Sequence, residues 1–436
     1  MISRLPPELL ILIAEHLKFQ EDRYHLAVTC HKVYVSVLPV VYSKVSLGMR
    51  HKYSVVQASC FLYAVLRHPE LANAVRSLSL GEWETRLGHE GPPFEIRKDT
   101  WQYDAGLIRP LLMESPMPEE LKADWNRDLE KGITDAWLAL ILPQLTRLRK
   151  ISIEWPASVN ANIDHLMEET WFFKIVERAS VEETPILPHL EEAHAWCDDS
   201  VRGFSSDLML PFFNFPSMRL ISAHAVEESS WDNFPIPFTS GVTAMYLNCY
   251  KGTEQGLLSW IGACKALEIF GHHFSGYWGT GFEYDRGAII ESLLGQKASL
   301  ESITLSEVCN FPLEGPANSR LGSLHGFTVL KHLHVGLQHL VEVDENNQPI
   351  CALKEMLPSS LESLYLYDCG DELFDWAIQQ LESLVASKYM PNLAKLKLES
   401  KEVQKKLEGL AHQCKTAGIS LTAVEESFPR DIPWDY

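Results

Sequence analysis

The sequence has 436 residues, 46% of them hydrophobic and 22% charged, close to the soluble globular average, so wholesale disorder is excluded. Against 58 Asp and Glu stand 38 Lys and Arg, a formal charge of −20 that argues against nucleic acid or an anionic membrane as the main partner. No apolar run is long enough for a secretory core or a membrane span, and the nine cysteines form no CxxC pair, so a cytosolic or nuclear protein with reduced thiols is expected.

Leu5-Pro6-Pro7-Glu8-Leu9-Leu10 opens a helix, with proline tolerated in the first turn and Glu8 where the helix dipole favours an anion. Leu9, Leu10, Ile13 and Leu17 recur at helical spacing. A second helix is predicted from Asp22 as N-cap through Leu26, Ala27 and Cys30. A third carries Val33, Tyr34 and Val37 and is expected to stop before Pro39. Three short helices cannot bury all of this apolar surface among themselves, so part of it should meet a partner or the following domain.

The LPxELL opening, followed in order by Ile13, Leu17, Leu26, Thr29-Cys30-His31-Lys32 and Tyr34, resembles an F-box. The trailing Pro39-Val40-Val41-Tyr42-Ser43-Lys44-Val45-Ser46-Leu47 is similar to the strand that often links an F-box to its repeats. The resemblance covers residues 1–47 and departs from the family at the start of the second helix, which reads Glu21-Asp22-Arg23-Tyr24-His25.

A helical stretch from Tyr53 to His68, within a linker over 48–74, leads to Val75-Leu78-Leu80, where a spaced apolar triad begins. The triad returns at Leu148-Ile151-Ile153, Leu190-Ala193-Ala195, Met218-Ile221-Ala223, Val242-Met245-Leu247 and Leu267-Phe270-His272. Further copies are Leu300-Ile303-Leu305, Leu330-Leu333-Val335, Leu361-Leu364-Leu366, Leu393-Leu396-Leu398 and a weaker Thr416-Ile419-Leu421. From Leu190 onward the copies start 23 to 33 residues apart. Amphipathic helical stripes lie between them, such as Leu373, Phe374, Ala377, Ile378, Leu381, Leu384 and Val385. This alternation resembles leucine-rich repeats, which commonly follow an F-box, and Leu361-Leu364-Leu366-Cys369 has their L-x-x-L-x-L-x-x-C form.

The fold class expected is therefore α/β: a three-helix F-box, then a parallel-stranded repeat solenoid over 75–426 and a tail over 427–436. The first interval is oversized, and Glu82–Lys131, rich in Pro, Gly and Trp, reads as an insertion. A second irregular stretch, Thr184 to Trp231, reads as a similar one. The cysteines, falling mostly at repeat positions, read as small buried hydrophobes.

No P-loop, HExxH, GxSxG or GxGxxG occurs, and the adjacent pair His272-His273 would face opposite sides of a strand. No catalytic residue, metal or cofactor is expected. The lysine-rich run from Lys395 to Lys406, interleaved with Glu399 and Glu402, reads as a solvated face. If the triads point into the core, the residues between and after them face the concave surface. These are Glu154, His194, Trp196, His224, Tyr246, Asn248, His273, His334, Tyr365 and Tyr367, with the aromatics and histidines from Trp196 onward as candidate target contacts.

The F-box resemblance implies a substrate-recognition subunit of a Skp–cullin–F-box ubiquitin ligase. Leu5, Pro6, Leu9, Leu10, Ile13 and Leu17 would grip the Skp adaptor, and through it a cullin, while the repeats hold a target protein. Catalysis would belong to other subunits. The alternative is a binding scaffold whose F-box recruits no cullin.

Overall fold

A computed structural model describes residues 2–48, 54–81, 83, 85, 102–115, 117–155, 170–181, 186–197, 203–227, 233–250, 252–275, 286–308, 321–341, 343–344, 348–367, 371–399 and 407–424. The chain divides into two units, Met1–Ser222 and Ala223–Tyr436.

The first unit opens with α1 (Pro7–His16), α2 (Gln20–Ala27) and α3 (His31–Val41). They close on a core of Leu10, Ala14, Ala27, Val33, Val37, Val40 and Val41, with Leu5, Ile11, Leu26, Cys30 and Tyr42 packed at its edge. Arg23 Nε donates to the carbonyls of Ala14 (3.2 Å) and Leu17 (3.1 Å), satisfying acceptors that the end of α1 leaves open.

Two sequence expectations are corrected here. Helix α2 starts at Gln20, ahead of Asp22, where Gln20 Nε2 donates to the Val41 carbonyl (2.5 Å) and ties the start of α2 to the end of α3, and it ends at Ala27, so that Cys30 is not on α2 but caps the start of α3. Helix α3 continues through Pro39, because Val40 and Val41 beyond it are held in the core together with Val37. Pro39 itself is exposed, and the hydrogen bond it cannot donate would have gone to the Val35 carbonyl on the solvent side.

Four parallel strands follow: β1 (Lys44–Leu47), β2 (Ser77–Leu80), β3 (Lys150–Glu154) and β4 (Glu192–Trp196). Their register aligns Val45, Leu78, Ile151 and Ala193 in one row and Leu47, Leu80, Ile153 and Ala195 in another. The triad from 190 therefore holds its register despite the alanines, and Met218, Ile221 and Ala223 of the next triad are buried. Phe212 and Phe213 of the 3₁₀ helix Ser206–Asn214 that follows are also buried. The stretch from Thr184 to Trp231 is correspondingly not an insertion but contains β4 and β5 (Leu220–His224).

Helices α4 (Ser54–Arg67) and α5 (Pro69–Ala72) join β1 to β2. The expected loop insertion is helical where described: α6 (Ala105–Glu114) and α7 (Glu119–Lys131) precede α8 (Thr134–Ile141). Gly132, at φ +79°, ends α7 in the left-handed conformation that glycine adopts without strain. Tryptophan explains the order of this region. Trp125 and Trp137 are buried, and their indole N–H groups donate to the carbonyls of Ala136 (3.0 Å) and Leu129 (3.2 Å). Trp125 also stacks on Trp171 of α9 (Trp171–Val181), with ring centroids 5.5 Å apart. Trp101 and most of 82–101 lie outside the described residues.

Asp135 of α8 is buried and caps α9, accepting from the N–H groups of Trp171 (2.5 Å) and Phe172 (3.3 Å). Burial pushes its carboxyl up to about 7, against the opposing pull of those two N–H groups and of Lys174.

The second unit repeats one parallel pattern: β6 (Ala244–Asn248), β7 (Ile269–Ser275), β8 (Ser302–Val308), β9 (His332–Gly336), β10 (Ser363–Tyr367), β11 (Lys395–Glu399) and β12 (Ser420–Val424). Met245, Phe270, Ile303, Leu333, Leu364, Leu396 and Leu421 share one row. All but Leu421, on the last strand, are buried. The weak final triad is thus corrected by two residues: Leu421 and Ala423, not Ile419 and Leu421, align with Leu396 and Leu398.

The intervening helices include α10 (Glu254–Ala263), α11 (Arg286–Leu294) and α14 (Asp371–Ser387), after the single turns α12 (Leu337–Leu340) and α13 (Leu353–Met356); α15 (Glu408–Ala417) precedes β12. The predicted stripe on α14 is its buried face, including Phe374, Leu381 and Leu384. A recurring device joins successive repeats: Ser299 and Ser360 donate to the carbonyls of Leu267 (2.8 Å) and Leu330 (2.7 Å) one repeat earlier.

Candidate protein-binding surfaces

The residues expected to grip an adaptor divide into two groups. Leu10 has no exposure and belongs to the helical core, so it shapes the surface without presenting to a partner. Leu9 (45% exposed), Ile13 (38%) and Pro6 face solvent, while Leu5 and Leu17 are half-buried. The same helices expose Leu12, Phe19, Tyr24, Val28, Tyr34 and Val35, which the sequence-based set missed. Helical spacing alone could have suggested Leu12, since it lies three residues after Leu9 on the same turn of surface.

In the second unit, the strand positions between the core rows form an outer face. Register places Asn248 beside His273, and His334 beside Tyr365 and then Lys397. His334 stacks on Tyr365 at 4.1 Å between centroids, and Lys397 Nζ lies 4.1 Å from the centre of the same ring. The Tyr365 hydroxyl donates to Glu399, which is buried. Half-buried Tyr246 lies against Gly271, where an added Cβ would approach its ring to 2.7 Å, and burial raises its phenol above the usual value. His224, also half-buried, ends β5.

Two residues expected on this exposed face are buried. His273 is 6% exposed, with Nδ1 2.8 Å from the Ser306 hydroxyl on the next strand. Tyr367 is 1% exposed, its ring lying against Gly336 and edge-on to His334 at 5.3 Å. Alternation assigns a side of the strand, but neighbouring side chains decide depth.

In the first unit the outer face holds Ser46, Ser79, Ser152 and His194 in one row, and Glu154 beside Trp196. His194 is buried, which holds its imidazole below the usual value with Lys150 adding to the effect, although Glu192 lies 3.2 Å away. A depression of about 240 Å³ opens on this face, lined by Ser46, Leu47, Gly48, Ser79, Gly81, Glu154 and Trp196.

Cys197, Cys264 and Cys414 are buried as expected, and burial pushes the Cys264 thiol up to about 12. Cys30, Cys249 and Cys351 are only half-buried and Cys60 is exposed, contrary to that expectation, while Cys309 and Cys369 lie outside the described residues, as do Lys401, Lys405 and Lys406. Among the described residues no group of three His, Cys, Asp or Glu could hold a metal ion. No described helix is long and apolar enough to cross a membrane.

Parallel strands at the triads, each followed by a return to the next, agree with a family-level match: a model of the leucine-rich repeat domain matches residues 49–415. The chain belongs to the leucine-rich repeat family. The match starts beyond α1–α3, and no curated protein sequence matches the chain. In leucine-rich repeat proteins each unit buries its apolar face only against its neighbours, leaving the outer strand positions available for binding proteins.

Proposed function

We propose that this leucine-rich repeat protein is the substrate-recognition subunit of a Skp–cullin–F-box ubiquitin ligase. Helices α1–α3 act as the F-box that binds the Skp adaptor, and the repeats carry the target. One observation supports the reading most: of the fourteen large hydrophobics exposed among the described residues, nine lie between Ile2 and Val35. A helical unit that holds its own core yet leaves Leu9, Leu12, Ile13, Phe19, Tyr24 and Val35 in water has the character of an interface awaiting a partner. The LPxELL order of the same segment, which resembles an F-box, supports the Skp adaptor as that partner.

In this reading the chain performs no chemistry and binds neither nucleic acid nor membrane. It brings a target close to a ubiquitin-conjugating enzyme held elsewhere on the cullin, in the cytosol or nucleus. Rate enhancement comes from proximity and orientation. Purified alone, it should transfer no ubiquitin, and a ubiquitin thioester trapped on one of its cysteines would contradict this.

Co-purification tests the proposal. Pro6→Ala with Leu9→Ala should abolish capture of the Skp adaptor while the repeats remain folded. A chain truncated before residue 49 that captured the adaptor at full strength would overturn the assignment. Recovery of a cullin with the complex separates a ligase receptor from an adaptor-bound scaffold.

A further inference from the structure

The residues one position ahead of the strands form a charged row, because each backbone N–H there donates to the carbonyl of its counterpart one strand earlier. In the second unit Glu301 donates to Glu268, Lys331 to Glu301 and Glu362 to Lys331, each at 2.8 Å. The one cation of that stretch lies among carboxylates. Lys331 Nζ is 2.8 Å from Glu301, and that hydrogen bond, with Glu362 and Glu268 adding to it, raises the ammonium above its usual value.

The first unit breaks this pattern. The Arg149 N–H donates to Arg76 at 2.8 Å and the Glu191 N–H to Arg149 at 2.7 Å, so two arginines stand side by side ahead of β2 and β3 with no carboxylate between them. Exposed Arg147 joins them. Partial burial holds the Arg76 guanidinium below its usual value, and the positive charges of Arg147 and Arg149 push it further down. Among the described residues one carboxylate answers these three cations: Glu191, at a long 3.9 Å from Arg149. The neighbouring Glu192 is shared by Lys150 at 3.5 Å and His194 at 3.2 Å.

The donors suit planar anions. Arg76 Nη1 donates to the carbonyls of Asn73 (2.6 Å) and Val75 (3.1 Å), which orients the guanidinium and leaves its Nε and Nη2 hydrogens for a ligand. The backbone N–H groups are spent: those of Arg76 and Ser77 go to the Ser43 carbonyl, and those of Arg149 and Lys150 to that of Arg76. A phosphoryl group is commonly cradled by backbone N–H groups, and none of these is left for one. A guanidinium fork matches a carboxylate unaided. On a chain of formal charge −20, a local surplus of positive charge is where an acidic partner can approach.

We propose that Arg76, Arg147 and Arg149 form a docking point for an acidic segment of a bound protein, whose carboxylates complete the row as Glu301 and Glu362 do around Lys331. The proposal rests on the reading of the repeats as a protein-binding domain and names the chemistry that one part of it recognises.

The test follows the fluorescence anisotropy of a fluorescein-labelled hexaglutamate peptide titrated with the full chain at low ionic strength. Saturable binding is expected, with none for the hexaglutamine counterpart. Arg147→Glu with Arg149→Glu should weaken it by about tenfold or more, because like charges then face the peptide. Lys265→Glu with Lys297→Glu, exposed in the second unit and changing net charge equally, should shift it by less than about twofold. No binding of hexaglutamate, equal binding of hexaglutamine, undiminished binding by the arginine variant, or an equal loss in the lysine variant would overturn the assignment. Tighter binding of a phosphoserine peptide or an oligothymidylate of the same charge would reassign the anion and overturn it too. Neither the probe nor the variants involve α1–α3, so this result and adaptor capture succeed or fail separately.

Discussion

Asp135 shows how a single buried carboxyl links folding to pH. Its folded value is raised to about 7 by burial, so between about pH 4 and that value the folded chain holds a proton the unfolded chain releases. The resulting stabilisation is complete below about pH 4 and is lost as pH rises to about 7. Thermal unfolding of the wild type between pH 5 and pH 8 should show this loss, amounting to a few kcal/mol at most, and Asp135→Asn should not. Close packing makes a second residue testable. A methyl group at Gly271 would meet the Tyr246 ring at 2.7 Å, so Gly271→Ala should cost about 1–3 kcal/mol in denaturant unfolding. At Tyr365, replacement by Phe removes a donor to buried Glu399, and a loss of about 1–3 kcal/mol is expected by the same measurement.

Among elements, α1 separates a packed face from an exposed apolar one along its own circumference. Leu10 is enclosed, so Leu10→Ala should destabilise the three-helix unit by about 2–5 kcal/mol, visible as faster hydrogen exchange across 7–41. Leu9→Ala and Ile13→Ala, on the exposed side, should change stability by less than about 0.5 kcal/mol yet weaken adaptor binding. Strand and helix positions were legible because apolar periodicity is a local signal: the last two residues of every strong triad lie on a strand with the first just ahead of it, and the stripe on 373–385 lies on α14. Two local rules were overridden by distant contacts. Proline did not end α3, whose last turn is held by the core, and in a Pro-, Gly- and Trp-rich interval that became α6 and α7 the α7 residue Trp125 found partners on α8 and α9.

At the scale of the whole molecule, charge is the dominant general property. A formal charge of −20 places like charges in one fold, and self-repulsion lowers stability. Raising ionic strength from about 0.01 to 0.15 M shortens the screening length from roughly 30 to 8 Å. The melting temperature should rise by a few degrees, corresponding to about 1 kcal/mol. A fall on adding salt would mean that paired charges outweigh repulsion, and differential scanning calorimetry distinguishes the two.

The sequence alone determined the repeat architecture, because each triad encodes one buried strand and the spacing encodes the return through a helix or turn. It also determined the side of the strand on which Trp196, His224, Tyr246, His334 and Tyr365 stand, since alternation follows from backbone geometry. Only the tertiary structure decided which of the candidate residues remain accessible. His273 and Tyr367 sank beneath their neighbours, Leu10 turned into the helical core, and Glu154 came to lean over Gly81. Exposure depends on side chains brought together from residues far apart in the chain, and no local pattern carries that information.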